Sequence, residues 1–187
     1  MMAKKKIDGY IFTADKINID EKALWVLITE MEYYRSYDDL STGLYNRNYW
    51  EHLKDGVVKF LYGSSYSLIV IDIDNLKECN DLYGHVIGDE VIASVGESIL
   101  NSVRENDVAI HYGGDEFIVI LPNANIAVAN KVITRIKKDI KKKYINKKLK
   151  IEVSAGASYS NDISKLEQAL QSADMKMYSE KNRKKKL

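Results

Sequence analysis

Residues 113–117 read Gly113-Gly114-Asp115-Glu116-Phe117 and lie between two short apolar runs of β type. Val108-Ala109-Ile110-His111-Tyr112 precedes them and Ile118-Val119-Ile120-Leu121 follows. Two consecutive glycines in that setting predict a β-hairpin. A tight two-residue turn needs positive φ, which glycine adopts at no steric cost. The hairpin inserts a pair of antiparallel strands into whatever sheet the chain builds. The two residues after the glycines are acidic. A turn without Cβ atoms lets a ligand approach its backbone, and adjacent carboxylates beside it can hold Mg²⁺ against a polyphosphate. The feature points to nucleotide chemistry.

The chain has 187 residues, the size of one ordinary domain with a short extension, and its 45% hydrophobic content can build a core. A net charge of +1 gives no global argument for nucleic acid or acidic partners. The single cysteine, Cys79, excludes a disulfide framework and fits a reducing cytosol. It reads as a small packed side chain. His52, His85 and His111 are scattered and have no zinc spacing. No apolar run approaches the roughly 18 residues of a membrane span. Met1–Lys6 is basic but has no apolar stretch behind it, so it does not read as a signal peptide.

Along the chain, Gly9–Thr13 is a candidate short strand. Leu24, Leu27, Ile28, Met31 and Tyr34 fall at helical spacing within Ala23–Tyr37. Asn46 is placed to cap a second helix reaching about Leu61. Tyr66–Ile73, rich in Ile and Val, reads as a buried central strand. A loop or short helix then carries Lys77, Asn80 and Asp81. Further helices are expected over about Asp89–Val103 and Ala124–Lys143, and a strand over Leu149–Ser154, ending at Gly156. A final amphipathic helix over Ser164–Lys181 would turn Leu166, Leu170, Ala173, Met177 and Tyr178 inward. Residues 137–150 hold eight lysines and one aspartate. With only Tyr144 nearby, this run reads as a solvated face rather than a nucleic-acid surface.

The central strand ends in Asp72-Ile73-Asp74. Buried carboxylates must be paired or bind metal, and strand alternation puts Asp72 and Asp74 on one side. A neighbouring Gly-Gly hairpin would bring Asp115 and Glu116 close. Three or four converging carboxylates can bind two Mg²⁺ ions, which suits an in-line phosphoryl displacement. Taken singly, Asp72 and Asp74 read better as caps of the strand end. As a set with the hairpin acids they do not.

These residues belong to a longer ordered pattern. Asp39-Leu40-Ser41-Thr42-Gly43-Leu44-Tyr45-Asn46-Arg47 comes first. Asp72-Ile73-Asp74-Asn75-Leu76-Lys77 follows, then Asn80-Asp81, Gly84-His85 and Gly88-Asp89. Ser154-Ala155-Gly156 and Ala173-Asp174 with Tyr178 and Lys181 complete it. The set resembles the GGDEF-domain family, the catalytic domain of diguanylate cyclases, from about Asp39 to Lys185. The expected fold is α/β (α+β): a central mixed, mainly antiparallel five-stranded sheet flanked by helices. It is of the palm or nucleotidyl-cyclase kind, with an N-terminal helix. Residues 38–187 would form the cyclase domain. Residues 1–37 would form an extension and signalling helix, whose position makes it a candidate remnant of a sensor domain.

The resemblance implies a cytoplasmic bacterial enzyme that joins two GTP molecules into cyclic di-GMP and releases two pyrophosphates. Each domain binds one GTP, and two copies meet face to face as a homodimer. Asp72, the Ile73 carbonyl, Asp115 and Glu116 would hold two Mg²⁺ or Mn²⁺ ions. Asp115, assisted by Glu116, would serve catalysis. Asn80 and Asp89 would read guanine, whose paired N–H donors suit a carboxylate. Both also read simply as caps of a turn and a helix. The backbone at Asn75, Leu76, Lys77, Gly113 and Gly114 would cradle phosphate. Lys181 and Lys185 would approach the β- and γ-phosphates, although a solvated basic tail explains them too. Arg104 and Asp107, an Arg-x-x-Asp five residues before Gly113, resemble the family's product-inhibition site for cyclic di-GMP. A local ion pair is the plain alternative. No nucleic-acid or membrane partner is implied for this segment.

Four features depart from the family pattern. Ser41 replaces a usual leucine, and Leu76 a common phenylalanine. His111 replaces the arginine two residues before the motif, which leaves a charge contact open. The end Lys181-Asn182-Arg183-Lys184-Lys185-Lys186 lacks the usual Gly-Arg-Asn. A non-catalytic receptor for GTP or cyclic di-GMP is the runner-up. A different palm-type nucleotidyl transferase is a third reading, but no second substrate site is evident for it. Degenerate members usually lose the motif acids, and here Asp72, Asp115 and Glu116 all stand.

Overall fold

The computed structural model describes residues 4–7, 10–13, 23, 26, 36–54, 65–145 and 149–186. It divides into two compact units, Met1–Tyr37 and Asp38–Leu187. In the first, β1 (Lys4–Ile7) pairs antiparallel with β2 (Tyr10–Thr13), with Ile7 opposite Tyr10. The candidate strand at Gly9–Thr13 is therefore β2. Ala23 and Val26 are helical. The apolar stripe from Leu24 to Tyr34 lies outside the described residues.

The second unit is organised by β3 (Tyr66–Ile73), which is buried at every position. Alternation sends Ile69, Ile71 and Ile73 to one face of the sheet. There they pack with α3 (His85–Leu100) through Val91, Val95 and Ile99, and with α4 (Ile126–Ile140) through Val132, Ile136 and Ile140. Tyr66, Leu68 and Val70 go to the other face. It is covered by Trp50 and Leu53 of α1 (Arg47–Lys54) and by Leu166, Ala169, Ala173 and Met177 of α5 (Leu166–Lys184). Two covered faces explain why Leu68-Ile69-Val70-Ile71 is apolar without alternation. Each such side chain contributes about 1.5–3 kcal/mol by leaving water.

The sheet order is β4-β5-β3-β8, with β4 (Val108–Gly113), β5 (Glu116–Pro122) and β8 (Val153–Ser160); every pairing is antiparallel. Five strands were expected, and four are present among the described residues. A single residue stands where a fifth would add to the β4 edge. Tyr45 forms an isolated parallel bridge with Ile110, its N–H donating to Ala109 O at 3.0 Å and its carbonyl accepting from His111 N at 2.7 Å. The Asp39–Leu44 turn closes just before Tyr45 and the Asn46 cap opens α1 just after it, so no strand length remains between them. Asn46 Oδ1 accepts from Asn48 N at 2.9 Å, as expected of a cap. The reach of α1 towards Leu61 lies outside the described residues.

Several boundaries moved. The residues after β3 form a helix, α2 (Leu76–Tyr83), and α3 begins at His85 rather than Asp89. The strand expected over Leu149–Ser154 is two elements. A short hairpin pairs β6 (Tyr144–Ile145) with β7 (Leu149–Lys150), and β8 then runs straight through Gly156. Gly156 looked like a stop but is a packing residue. A Cβ there would lie 2.1 Å from Ala173 O and 2.3 Å from Met177 N, so only glycine lets α5 rest on β8. In α5 the buried stripe is Leu166, Ala169, Ala173 and Met177. Tyr178, expected inside, is 61% exposed because it is about 100° further round than Met177. Among the described residues no helix is long and apolar enough to cross a membrane.

Candidate active site

The signature turn is displaced by one residue from the sequence expectation. His111 pairs with Phe117, but Gly113 pairs with Glu116, which leaves a bulge between His111 and Gly113. Gly113 has φ 145° and Gly114 φ 58°. The two turn residues are Gly114 and Asp115. Positive φ at the first of them and not at the second is the pattern of a II′-type hairpin. Asp115 therefore sits in the turn itself. Its carbonyl accepts from Ile73 N at 2.9 Å, which binds the turn to the end of β3. Strand geometry puts the Ile73 carbonyl on the same edge as its N–H, towards the turn.

Asp72 lies directly opposite Glu116 across the β3–β5 ladder. Both are at even positions and face α5. Asp72 is buried, and its Oδ1 accepts from Lys181 Nζ at 2.5 Å. Burial pushes the Asp72 carboxyl above its ordinary range; the Lys181 hydrogen bond opposes this, while the Asp115 and Asp74 charges add to it. Burial likewise raises Glu116, reinforced by Asp115, Asp72 and Asp174 and opposed by Lys181. Five acids, Asp72, Asp74, Asp115, Glu116 and Asp174, thus press on the region, and Lys181 is the lysine against them. Such a donor set, all oxygen and short of positive charge, suits a hard divalent cation. Among the described residues, no three acidic, histidine or cysteine side chains are poised around one cation position as they stand. Lys181 takes up the Asp72 oxygen instead.

Asp74 adds its charge to this group but not its oxygens. Its Oδ1 accepts from Ser154 Oγ and its Oδ2 from Lys184 Nζ, each at 2.7 Å. Lys184 also donates to Val153 O at 2.7 Å, and Glu180 takes Lys137 Nζ at 2.5 Å and Ala155 N at 3.0 Å. These bonds stitch the C-terminal turns of α5 to β8. Lys185, the sequence candidate, is exposed at the C-cap, whereas its neighbour Lys184 is engaged. Asp174 was likewise not among the candidates. Its signal was its place in the Ala173-Asp174 pair of the family pattern, beside the buried Ala173.

Asn75 precedes α2 in the left-handed conformation, φ 58° and ψ 30°, and makes no side-chain cap. A left-handed residue leading into a helix points successive N–H groups, here of Leu76 and Lys77, outward as an anion-binding concavity. Beside it a cleft of about 320 Å³ is lined by Asn75, Leu76, Cys79, Tyr83, Ile151 and Glu152. Asn80 and Asp89 sit on α2 and α3, joined through Gly84. Asn80 Oδ1 is buried and has no hydrogen-bond partner among the described residues. It rests against Gly88, where a Cβ would lie 1.8 Å away. Asp89 is exposed. As placed, this acceptor faces Gly88, so the Asn80 amide must turn outward to meet an incoming N–H donor.

Arg104 and Asp107 share a separate cleft of about 360 Å³ with Asp38, Leu44, Tyr45 and Leu100. Arg104 N donates to Asp107 Oδ2 at 2.8 Å, and Asp107 N to Arg104 O at 3.0 Å. The pair therefore closes its own turn through the backbone and leaves the exposed guanidinium outside that turn. His111, which replaces a usual arginine, does make a hydrogen-bond contact: Nδ1 is 2.9 Å from Asp39 Oδ2.

Residues 36–187 match the family model described as the diguanylate cyclase GGDEF domain. Diguanylate cyclase A of Treponema denticola is 39% identical over 119 residues, covering 62% of this chain and 32% of that protein. Diguanylate cyclase DgcS of Shewanella oneidensis is 37% identical over 145 residues, covering 76% of this chain and 49% of that protein. The chain thus spans less than half the length of these relatives. Among solved structures, the coiled coil and GGDEF domain of DgcB from Caulobacter crescentus, in complex with c-di-GMP, superposes with a TM-score of 0.73. It is 25% identical, and the match covers 86% of this chain and 90% of that one. Diguanylate cyclase SiaD of Pseudomonas aeruginosa, solved with its activator SiaC, shares the fold. Its TM-score is 0.72 at 24% identity, covering 90% of this chain and 68% of that one.

Proposed function

The chain belongs to the GGDEF-domain family of diguanylate cyclases, and from that premise we propose that it condenses two GTP molecules into cyclic di-GMP and two pyrophosphates. The observation that carries this reading is the gathering of Asp72, Glu116 and the Asp115 turn at the end of β3 with Lys181 against them. The reaction class is in-line displacement. The 3′-hydroxyl oxygen of one GTP bonds to the α-phosphorus of the other, the bond to pyrophosphate breaks, and the hydroxyl proton is lost. Asp115 helps to take that proton, assisted by Glu116.

Asp72, the Ile73 carbonyl, Asp115 and Glu116 would hold the divalent cations, two Mg²⁺ or Mn²⁺ per site. Bound there, the ions neutralise phosphate charge and lower the pKa of the attacking hydroxyl. The N–H groups after Asn75 and the backbone of Gly113 and Gly114 cradle phosphate, with Lys181 nearby and Lys185 able to reach from the end of α5. Asn80 and Asp89 select guanine. Because one domain offers one nucleotide site, the product forms between two copies that meet face to face. Cyclic di-GMP returns to the Arg104–Asp107 cleft as an inhibitor. Residues 1–37 carry the input signal, and the domain works in the bacterial cytoplasm.

Incubation of the purified protein with GTP and Mg²⁺ at several protein concentrations, with chromatography of the products, tests this. Cyclic di-GMP with a yield per protein that rises with concentration is expected. No product at any concentration, with cyclic di-GMP still bound and that binding lost in Arg104→Ala, identifies a receptor instead. Asp115→Ala is expected to keep the fold and lose turnover; retained turnover would refute its role.

A further inference from the structure

We propose that His111 is a positioning residue for Asp115: with both ring nitrogens protonated, it ties the Gly114 carbonyl to the Asp39 carboxylate and holds the signature turn from one side. The catalytic importance of Asp115 rests on the function proposed above; the tether itself does not.

The ring is enclosed on three sides. Nδ1 meets Asp39 Oδ2 at 2.9 Å and Nε2 meets Gly114 O at 3.2 Å. One face stacks on Phe117, with centroids 4.9 Å apart and planes 23° apart. A carboxylate and a carbonyl only accept hydrogen bonds. A neutral imidazole has one N–H and can satisfy one of them, leaving its other nitrogen lone pair against an oxygen. The imidazolium satisfies both.

What the two bonds hold is the peptide geometry around Asp115. Gly114 O belongs to the peptide unit before Asp115, and His111 fixes it. Asp115 O belongs to the unit after it, and Ile73 N fixes that one. Both peptide planes flanking the Asp115 Cα are therefore anchored, one to β3 and one to His111. Without the second anchor, the Gly113–Glu116 pairing closes the turn and only the Ile73 bond reaches the peptide units flanking Asp115.

The anchor behind His111 is itself rigid. Asp39 Oδ1 accepts from Ser41 N and Thr42 N, each at 3.0 Å, and from Ser41 Oγ at 2.5 Å. Its backbone closes the same loop through Asp39 N to Leu44 O and Gly43 N to Asp39 O, each at 2.8 Å. Ser41 and His111, two of the positions where this sequence leaves the family pattern, thus meet on one carboxylate. Asp39 from the loop is the charged group against the ring. β5 offers the uncharged Phe117, and the turn offers a carbonyl, with Asp115 and Glu116 following it along the chain.

NMR of the full chain without nucleotide tests the tether independently of any turnover. Nitrogen-15 spectra of the His111 ring, followed over about pH 5 to 8, report how many protons it carries. The expected result is two ring N–H groups at the acid end. The backbone amides of Gly114 and Asp115 should shift along the same curve as the ring loses its second proton. In His111→Arg, which keeps the charge, those amides should lose that inflection. A ring that titrates while the two amides stay still overturns the proposal, as does the same inflection in His111→Arg. Turnover then reads the consequence. His111→Gln should lose about tenfold or more in kcat with KM for GTP nearly unchanged, and His111→Arg should retain kcat without the alkaline fall of the wild type. Wild-type kcat in His111→Gln would remove the positioning role even if the tether is present.

Discussion

Lys181 Nζ lies 2.5 Å from Asp72 Oδ1 and so joins the last helix to the buried end of the central strand. Even positions of β3 face α5, and Lys181 lies one helical turn beyond the buried Met177 on that face. Asp72 is thus placed where burial and the Asp115 and Asp74 carboxylates oppose its charge, and Lys181 is the cation that answers it. The lysine stands where a bound cation would also be drawn.

Lys181 and a divalent cation therefore compete for one carboxylate. Lys181→Gln should tighten Mn²⁺ binding to the nucleotide-free protein by about fivefold or more. A unit charge about 4 Å away is worth about 1 kcal/mol even in water-like surroundings. The same variant should bind GTP more weakly if the lysine partners phosphate as proposed above. Titration of Mn²⁺ by electron paramagnetic resonance measures the first effect. Unchanged or weaker metal binding would show that the lysine does not guard the site.

Glu116→Gln should stabilise the metal-free protein at neutral pH. Burial, then Asp115, Asp72 and Asp174, raise the Glu116 carboxyl above its ordinary 4.5. A raised acid is held neutral at no cost below its unfolded value, and its ionised form weakens the fold as pH rises through the folded value. The gain in Tm should be largest at pH 7 to 8 and should vanish below about pH 4. Thermal unfolding in chelator across that range checks it. A variant less stable than wild type at pH 8 would contradict the crowding of these acids.

The acidic strand end and hairpin were legible in the sequence because period-two alternation and a Gly-Gly turn are local signals. Placing Asp72 opposite Glu116 needed only that β3 and β5 be neighbours. What escaped was set by distant packing. Gly156 looked like a strand end, and only the approach of α5 makes it a strand interior. Asp74 looked equivalent to Asp72, but Lys184 and Ser154, far along the chain, take both of its oxygens. The fifth strand was lost because the Asp39 loop and the Asn46 cap compress one edge to Tyr45 alone. The turn shifted by one residue because a bulge after His111 cannot be read from composition.

Asp39→Asn should cost about 1 kcal/mol at neutral pH, a value discounted for the water that still reaches the carboxylate. Burial alone would raise its pKa, but hydrogen bonds from Ser41, His111 and Thr42 outweigh it and lower the carboxyl from 3.8 to about 2. A lowered acid adds stability above its unfolded value and loses it as pH falls towards the folded value. The difference between wild type and variant should therefore shrink between about pH 4 and pH 2. Denaturant unfolding at a series of pH values follows it. A difference that persists unchanged at pH 2 would assign the effect to packing rather than charge.

Gly88→Ala should weaken guanine recognition while sparing the fold. A Cβ there would lie 1.8 Å from Asn80 Oδ1 and 2.9 Å from its Cγ. The obstruction is a side chain that can turn, not backbone, and Gly88 has no positive φ that alanine would strain. Asn80 must then leave the place where its acceptor now sits buried and unpartnered. If the amide reads the base by turning outward from that place, about 1–3 kcal/mol of recognition goes with it, roughly tenfold or more in GTP affinity. The preference for GTP over ATP should narrow with it, and Tm should move by only a few degrees. Equilibrium binding of both nucleotides and thermal unfolding of the same sample separate the two effects. Intact selectivity with a shifted Asn80 would take guanine reading away from Asn80 and leave it to Asp89.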